Sequence, residues 1–251
     1  MTNQEFYNTI FKRKSIRKYD MTSLPQGKLA EIQEFAASVK PLVDSINYKF
    51  VYLGTNDVKN LLPIKAPHYI CLYSDKKDSY LMNAGYLLQQ VDLFISANNI
   101  GSCWLGMAKP SKDIPAQQDG LDFVIMLAFG NTAEQVHREN TSEFNRKSLS
   151  EITSLVGEDQ LLEPVRLAPS ASNTQAWFFS GDTKEIIVRR TKLNLIKASL
   201  YGKMNQIDIG IALCHLWLSL DHAGKSAVYD FDKVDVPSGY EFMVKVKVVN
   251  K

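Results

Sequence analysis

The chain has 251 residues, 45% hydrophobic and 22% charged, with a formal charge of +2 from 29 basic and 27 acidic side chains. These values are ordinary for a soluble globular protein, and the charge is too balanced to argue for nucleic acid or an anionic membrane surface as partner. No apolar run approaches the roughly 18 residues needed to span a bilayer, and the polar start Met1 to Asn8 has no apolar signal-peptide core.

The predicted elements run as follows. Residues 5–17 read as a short helix leading into a basic cluster. Ser23-Leu24-Pro25-Gln26 reads as a helix start, with Ser23 as cap and Gln26 at the capping-box position. Leu29, Ile32, Ala36 and Val39 then mark one apolar helix face, which Pro41 ends. Tyr48 to Leu53 and residues 67–73 read as strands. Residues 80–99 form the longest apolar stretch, broken by Asn83, Gln89, Gln90 and Asp92, and read as a long helix buried on most sides. Gly101 to Gly106 follows. Residues 122–130 are apolar enough for a central strand.

A similar order then recurs. A helix is predicted at about 151–168, strands at Trp177–Ser180 and Glu185–Arg189, a second long helix from Gln206 to near Gly224, and a strand over 241–249. Gly85 and Gly210 lie 125 apart, Gly101 and Gly224 lie 123 apart, and Phe123 and Phe242 lie 119 apart. A steady offset over three elements predicts two diverged repeats.

Two segments carry chemistry. In Arg13-Lys14-Ser15-Ile16-Arg17, alternation puts Arg13, Ser15 and Arg17 on one side of an extended chain. Two guanidinium forks and a hydroxyl suit a phosphate, because arginine binds phosphate bidentately and keeps its charge. Five basic residues in the seven from Lys12 to Lys18 also read as solvated surface. Arg146 and Lys147 lie far off in sequence but can join the same cluster. The second segment is Ala168-Pro169-Ser170-Ala171-Ser172-Asn173-Thr174-Gln175-Ala176-Trp177. Pro169 stops the preceding helix, and Ser170, Ser172 and Asn173 are turn formers that can offer hydroxyls and an amide to a ligand. The same residues also read as a helix-to-strand turn with a buried tryptophan.

Both segments resemble ligand-contacting signatures of the FMN-dependent nitroreductase family, written R-x-S-x-R/K and A-P-S-x-x-N-x-Q-P-W. The second matches at Ala168, Pro169, Ser170, Asn173, Gln175 and Trp177, with Ala176 where the pattern has proline. The resemblance implies an α+β, nitroreductase-like fold, which in the family is a homodimer with FMN at the subunit interface. Each signature occurs once here. The first repeat has Ala36 to Leu42 where the A-P-S motif belongs, and the second lacks R-x-S-x-R. The implied arrangement is an intrachain pseudo-dimer, with a first repeat over 1–150, a shorter second over 151–251, and one flavin site complete within a monomer.

Carried over by residue, Arg13 and Ser15 would hold the FMN phosphate, with Arg146 and Lys147 assisting and Lys14 among the flavin-binding residues. Arg17 would reach the phosphate or the pyrimidine edge of the flavin. Gly106 and Met107 match the segment whose backbone faces flavin N5. Pro169, Ser170, Ala171, Asn173 and Gln175 would meet the flavin from the opposite repeat. The amides suit the imide edge of the ring, because each can donate and accept.

The implied activity is transfer of hydride from NAD(P)H through FMN to a nitroaromatic, quinone or similar small acceptor. A flavin-binding sensor or storage protein is the alternative, and another reaction on the same fold is a second. No side chain is expected to be catalytic in its own right, since the flavin carries the chemistry. His68, His137, His215 and His222 read as structural or exposed. Cys71, Cys103 and Cys214 are odd in number and form no CxxC pair, so neither a disulfide framework nor a metal site is expected, and the cytoplasm is the expected compartment.

Overall fold

The computed structural model describes the backbone of all 251 residues, and the side chains of all but 195–197, 199 and 200. The chain divides into two compact units: Lys12–Thr141, and Met1–Phe11 together with Ser142–Lys251. The opening helix, α1 (Asn3–Ile10), belongs to the second of these. Thr2 and Glu5 close a capping box at its start. The helix expected over 5–17 therefore ends at Ile10. The residues beyond it are drawn into extended pairing: Ser15 bridges Ser102, and the Ile16 N–H donates to Ser102 O at 2.9 Å.

The Lys12–Thr141 unit holds α2 (Gln26–Ser38), β1 (Tyr48–Gly54), β2 (Val58–Asn60), β3 (His68–Ser74), α3 (Tyr80–Ala97), β4 (Gly101–Leu105), β5 (Ala108–Pro110), β6 (Gln117–Gln118) and β7 (Leu121–Gly130). Its main sheet has the order β1-β3-β7-β4, antiparallel throughout. Gly101 to Leu105 is thus an edge strand of that path. Every residue of α3 from Leu81 to Ser96 is buried. Its polar interruptions are bonded inside: Asn83 to the 42–43 backbone, Gln90 to Lys40, and Asp92 to Arg13 and Ser102. A second apolar layer, including Tyr69, Cys71, Tyr73, Cys103, Leu105 and Met126, packs with Ile64, Ala66 and Ala108. Ser23 does not cap α2. Pro25 occupies that position, and the Ser23 hydroxyl lies 3.3 Å from His68 Nε2 instead.

The other unit continues with α4 (Leu149–Ile152), α5 (Asp159–Arg166), β8 (Trp177–Gly181), β9 (Glu185–Thr191), α6 (Leu195–His222), β10 (Lys225–Asp230) and β11 (Tyr240–Asn250). The single helix expected over 151–168 is two short ones, because Thr153 turns extended to bridge Phe179 and Gly157 then sits at φ +80, which a helix cannot hold. The second long helix starts at 195 rather than 206, and β10 is a strand that the sequence pattern did not separate. The sheet order is β10-β11-β9-β8. Read from β8, this is first, second, fourth and third strand about a long helix, the same succession as β1, β3, β7 and β4 about α3. Trp177, Phe179, Ile186, Val188, Val244 and Val246 form the core under α6. No helix of the described residues is long and apolar enough to cross a membrane.

Candidate flavin site

The basic segment is built on β4. Gly101 has no side chain, and a Cβ there would stand 2.9 Å from Ile16 Cγ2, so only glycine lets the segment lie this close. Ile16 points into the core and is fully buried, which leaves Arg13, Ser15 and Arg17 to turn the other way. All three act on the Cys103 thiol. Burial pushes that thiol up, and the charges of Arg13 and Arg17 and the Ser15 hydroxyl oppose the shift.

The three members differ in what they leave free. Arg13 is only 4% exposed, its Nε stands 2.7 Å from Asp92 Oδ2, and its Nη1 donates to Ser15 Oγ at 3.2 Å. Ser102 Oγ donates to Asp92 Oδ1 at 2.5 Å, and Arg138 Nη1 donates to the Arg13 carbonyl. Much of the Arg13 fork is thus engaged inside the protein. Arg17 is exposed and makes no ion pair among the described residues. Lys14, half-buried, likewise has none. Beyond β4, Gly106 and Met107 form an exposed turn, with Met107 54% exposed.

The second segment is a strained turn held from several sides. Ser172, Asn173 and Gln175 have φ of +50, +56 and +45. For residues other than glycine such conformations cost roughly 1–3 kcal/mol each, and they persist where surrounding bonds over-determine them. Arg146 supplies much of the hold: Nη1 donates to Asn173 Oδ1 at 2.9 Å, Nε to Ala168 O at 3.1 Å and Nη2 to Leu167 O at 3.3 Å. Asn173 Nδ2 donates to Asn145 O at 2.9 Å. Lys147 clasps Gln175 twice, N–H to Oε1 at 2.8 Å and Nζ to the carbonyl at 3.0 Å. The Gln175 N–H donates to Ser170 Oγ at 3.0 Å, and the Ala171 N–H to Asp208 Oδ1 at 3.0 Å. Pro169 is half-buried at the entry to the turn. The structure thus gathers Arg146 and Lys147 with Asn173 and Gln175, where they brace the turn.

Asp92 and Asp208 are the residues that sequence reasoning missed. Their signal was there: each is a carboxylate in an otherwise apolar helix, and such a charge needs a partner. The histidines bond to ordinary groups. His68 Nε2 accepts the Leu24 N–H at 2.9 Å, His137 and His215 face the carbonyls of Ser96 and Pro164, and His222 meets Gln4. The three cysteines are free and buried, and no group of metal-ligating side chains occurs among the described residues.

A family model described as "Putative TM nitroreductase" matches residues 5–220, a span that includes both segments. The chain belongs to this nitroreductase family. Among solved structures, one described as a "putative nitroreductase" from Thermotoga maritima MSB8 aligns over 100% of this chain and 96% of its own, with a TM-score of 0.66 and 19% identity. That likeness establishes the shared α+β fold. A nitroreductase family protein from Clostridium novyi NT aligns over 53% of this chain and 88% of its own, with a TM-score of 0.43 and 21% identity. An FMN-dependent nitroreductase from Clostridium difficile R20291 aligns over 55% of this chain and 93% of its own, with a TM-score of 0.44 and 20% identity. No curated protein shows a significant match.

Proposed function

We propose that the chain is an FMN-dependent oxidoreductase that takes hydride from NAD(P)H and delivers it to a nitroaromatic, quinone or similar small acceptor. The observation that carries this reading is the turn at Pro169–Gln175. Three non-glycine residues have left-handed conformations there, in a turn held by the Asn145 carbonyl, the Arg146 side chain and the Lys147 N–H, and anchored at Ala171 by the Asp208 carboxyl. Strain maintained at such expense belongs to ligand sites more than to plain connections, and it falls on the segment that resembles the family's flavin-contacting signature.

The residues of the Lys12–Thr141 unit fit the same ligand. From Ser102, where Ser15 is paired, to Gly106 the chain advances about 13 Å if fully extended. Ser15 and Arg17 would take the phosphate end of FMN, and the exposed turn at Gly106 and Met107 the ring edge. Arg17 and Lys14 supply charge to the phosphate or pyrimidine end, and Arg13 acts chiefly by fixing Ser15. FMN supplies the electron-transfer chemistry when bound. The protein's part is to bind and orient it, and to place Arg17 where negative charge develops on reduction. One copy of each signature argues for one FMN per chain, in a chain built from two diverged repeats. The matching strand succession about α3 and α6 supports that duplication.

The test is reconstitution with FMN followed by NAD(P)H oxidation with a quinone or a nitroaromatic as acceptor. Flavin-dependent turnover supports the reading. FMN binding without turnover would reduce the protein to a flavin-binding module, and no binding would remove the flavin altogether.

A further inference from the structure

We propose that Asp208 is a positioning residue that holds the Pro169–Gln175 turn in its flavin-binding form, an inference that rests on the FMN reading above. Asp208 lies in α6 and is 3% exposed. Its Oδ1 accepts the Ala171 N–H at 3.0 Å, and its Oδ2 has no hydrogen-bond partner among the described residues. One helical turn earlier, Asn205 Oδ1 accepts the Thr174 hydroxyl at 3.3 Å. Residues three apart share a helix face, so α6 grips both ends of the segment that contains Ser172 and Asn173. A buried carboxyl group whose one hydrogen bond among the described residues reaches the turn contributes little to the core, where an apolar side chain would pack without desolvation cost.

The other unit shows what this position does when no such turn is present. Asn83 in α3 stands 125 residues before Asp208, the offset that also separates Gly85 from Gly210. Asn83 Oδ1 accepts the N–H groups of Leu42 and Val43 at 2.8 and 3.1 Å, after α2, just as Asp208 accepts from Ala171 after α5. A second pair at the same offset also ties each long helix to the preceding helical segment, just after α2 in one unit and within α5 in the other. Gln90 Nε2 donates to Lys40 O at 2.8 Å, and His215 Nδ1 lies 2.8 Å from Pro164 O. Each long helix therefore grips the loop that follows the preceding short helix. An amide oxygen suffices for the grip at Asn83, so the acceptor atom rather than its charge is what the position requires.

Two measurements on the full chain test this: hydrogen exchange at the Ala171 amide without flavin, and FMN titration. In Asp208→Ala, exchange at Ala171 should accelerate and FMN affinity should fall about fivefold, the scale of one lost hydrogen bond. Asp208→Asn should keep both within about twofold of the wild type, because its amide oxygen can accept the same bond. If Asp208→Ala does not fold, Ala171→Pro deletes the same N–H from the other side. Ser170 there is already extended, with φ −144 and ψ 155, as a residue before proline must be. Its FMN affinity should fall by a similar factor. Unchanged Ala171 exchange, unchanged affinity in the folded variants, or an Asp208→Asn variant as impaired as Asp208→Ala would each overturn the anchor. A wild type with a protected Ala171 amide and no affinity for FMN would instead overturn the flavin reading, and with it the anchor's role in binding.

Discussion

Arg13 and Asp92 form an ion pair at 2.7 Å with both side chains out of solvent, one from the basic segment and one from the middle of α3. The pair ties the N-terminal signature to the most buried helix of its unit. It also divides the arginines of the signature into one that is structural and one that is open to a ligand.

That division predicts different outcomes for two similar substitutions. Arg13→Ala leaves a buried carboxylate without its cation and should cost about 3–5 kcal/mol of stability. Arg17→Ala, at an exposed site, should change stability by no more than about 0.5 kcal/mol, yet weaken FMN through loss of a charge-assisted contact worth about 1.5–3 kcal/mol. Urea unfolding without flavin, beside FMN titration, reads both effects. Equal stability losses in the two variants would contradict the division.

Gly101→Ala should act on the same segment without touching its charges. The added methyl would meet Ile16 atoms at 2.9–3.1 Å, and Ile16 is fully buried and cannot swing away. Overpacking of this kind costs about 1–3 kcal/mol. The displaced segment carries Ser15 and Arg17, so FMN affinity should fall together with the thermal midpoint. A variant with lowered stability and unchanged FMN affinity would mean that the segment's seating on β4 has no part in binding.

The long elements were legible in the sequence because their patterns are strong. The apolar run over 80–99 could only be a buried helix, and the one over 122–130 a buried strand. Both signatures were legible as residue types at fixed spacing. What each side chain touches was not. Arg146 and Lys147 read as cations suited to a phosphate; the structure shows them bonded to the turn, Arg146 to Asn173 and to the open carbonyls of Leu167 and Ala168 at the end of α5, and Lys147 to Gln175, contacts that the charge pattern alone does not reveal. The end of α1 at Ile10 was hidden because the cause lies at Gly101 and Ser102, some 90 residues on. The strand at Lys225–Asp230 was hidden because its residues alternate only weakly and are fixed by pairing with β11.

Asp208 gives the protein a specific pH response. Burial raises its carboxyl from 3.8 to about 8, opposed in part by the Ala171 N–H. The folded state thus holds a proton that the unfolded state releases, and the stability it contributes is complete below 3.8 and lost as pH rises through about 8. His68 and His137, lowered by burial, act in the opposite sense, with stability recovered as pH rises through their folded values. Comparison with Asp208→Asn cancels the histidines. The variant should gain stability relative to the wild type between pH 5 and about 8.5, as read by thermal unfolding without flavin. Parallel pH profiles would show that Asp208 does not titrate in this range.

Titration of the full chain with FMN tests the central claim most directly, followed by flavin fluorescence and by filtration of unbound flavin. One FMN should bind per chain, in a monomer, with affinity reduced in both Arg17→Ala and Asn173→Ala. No binding at excess FMN, or saturation at two FMN per chain, would contradict the account.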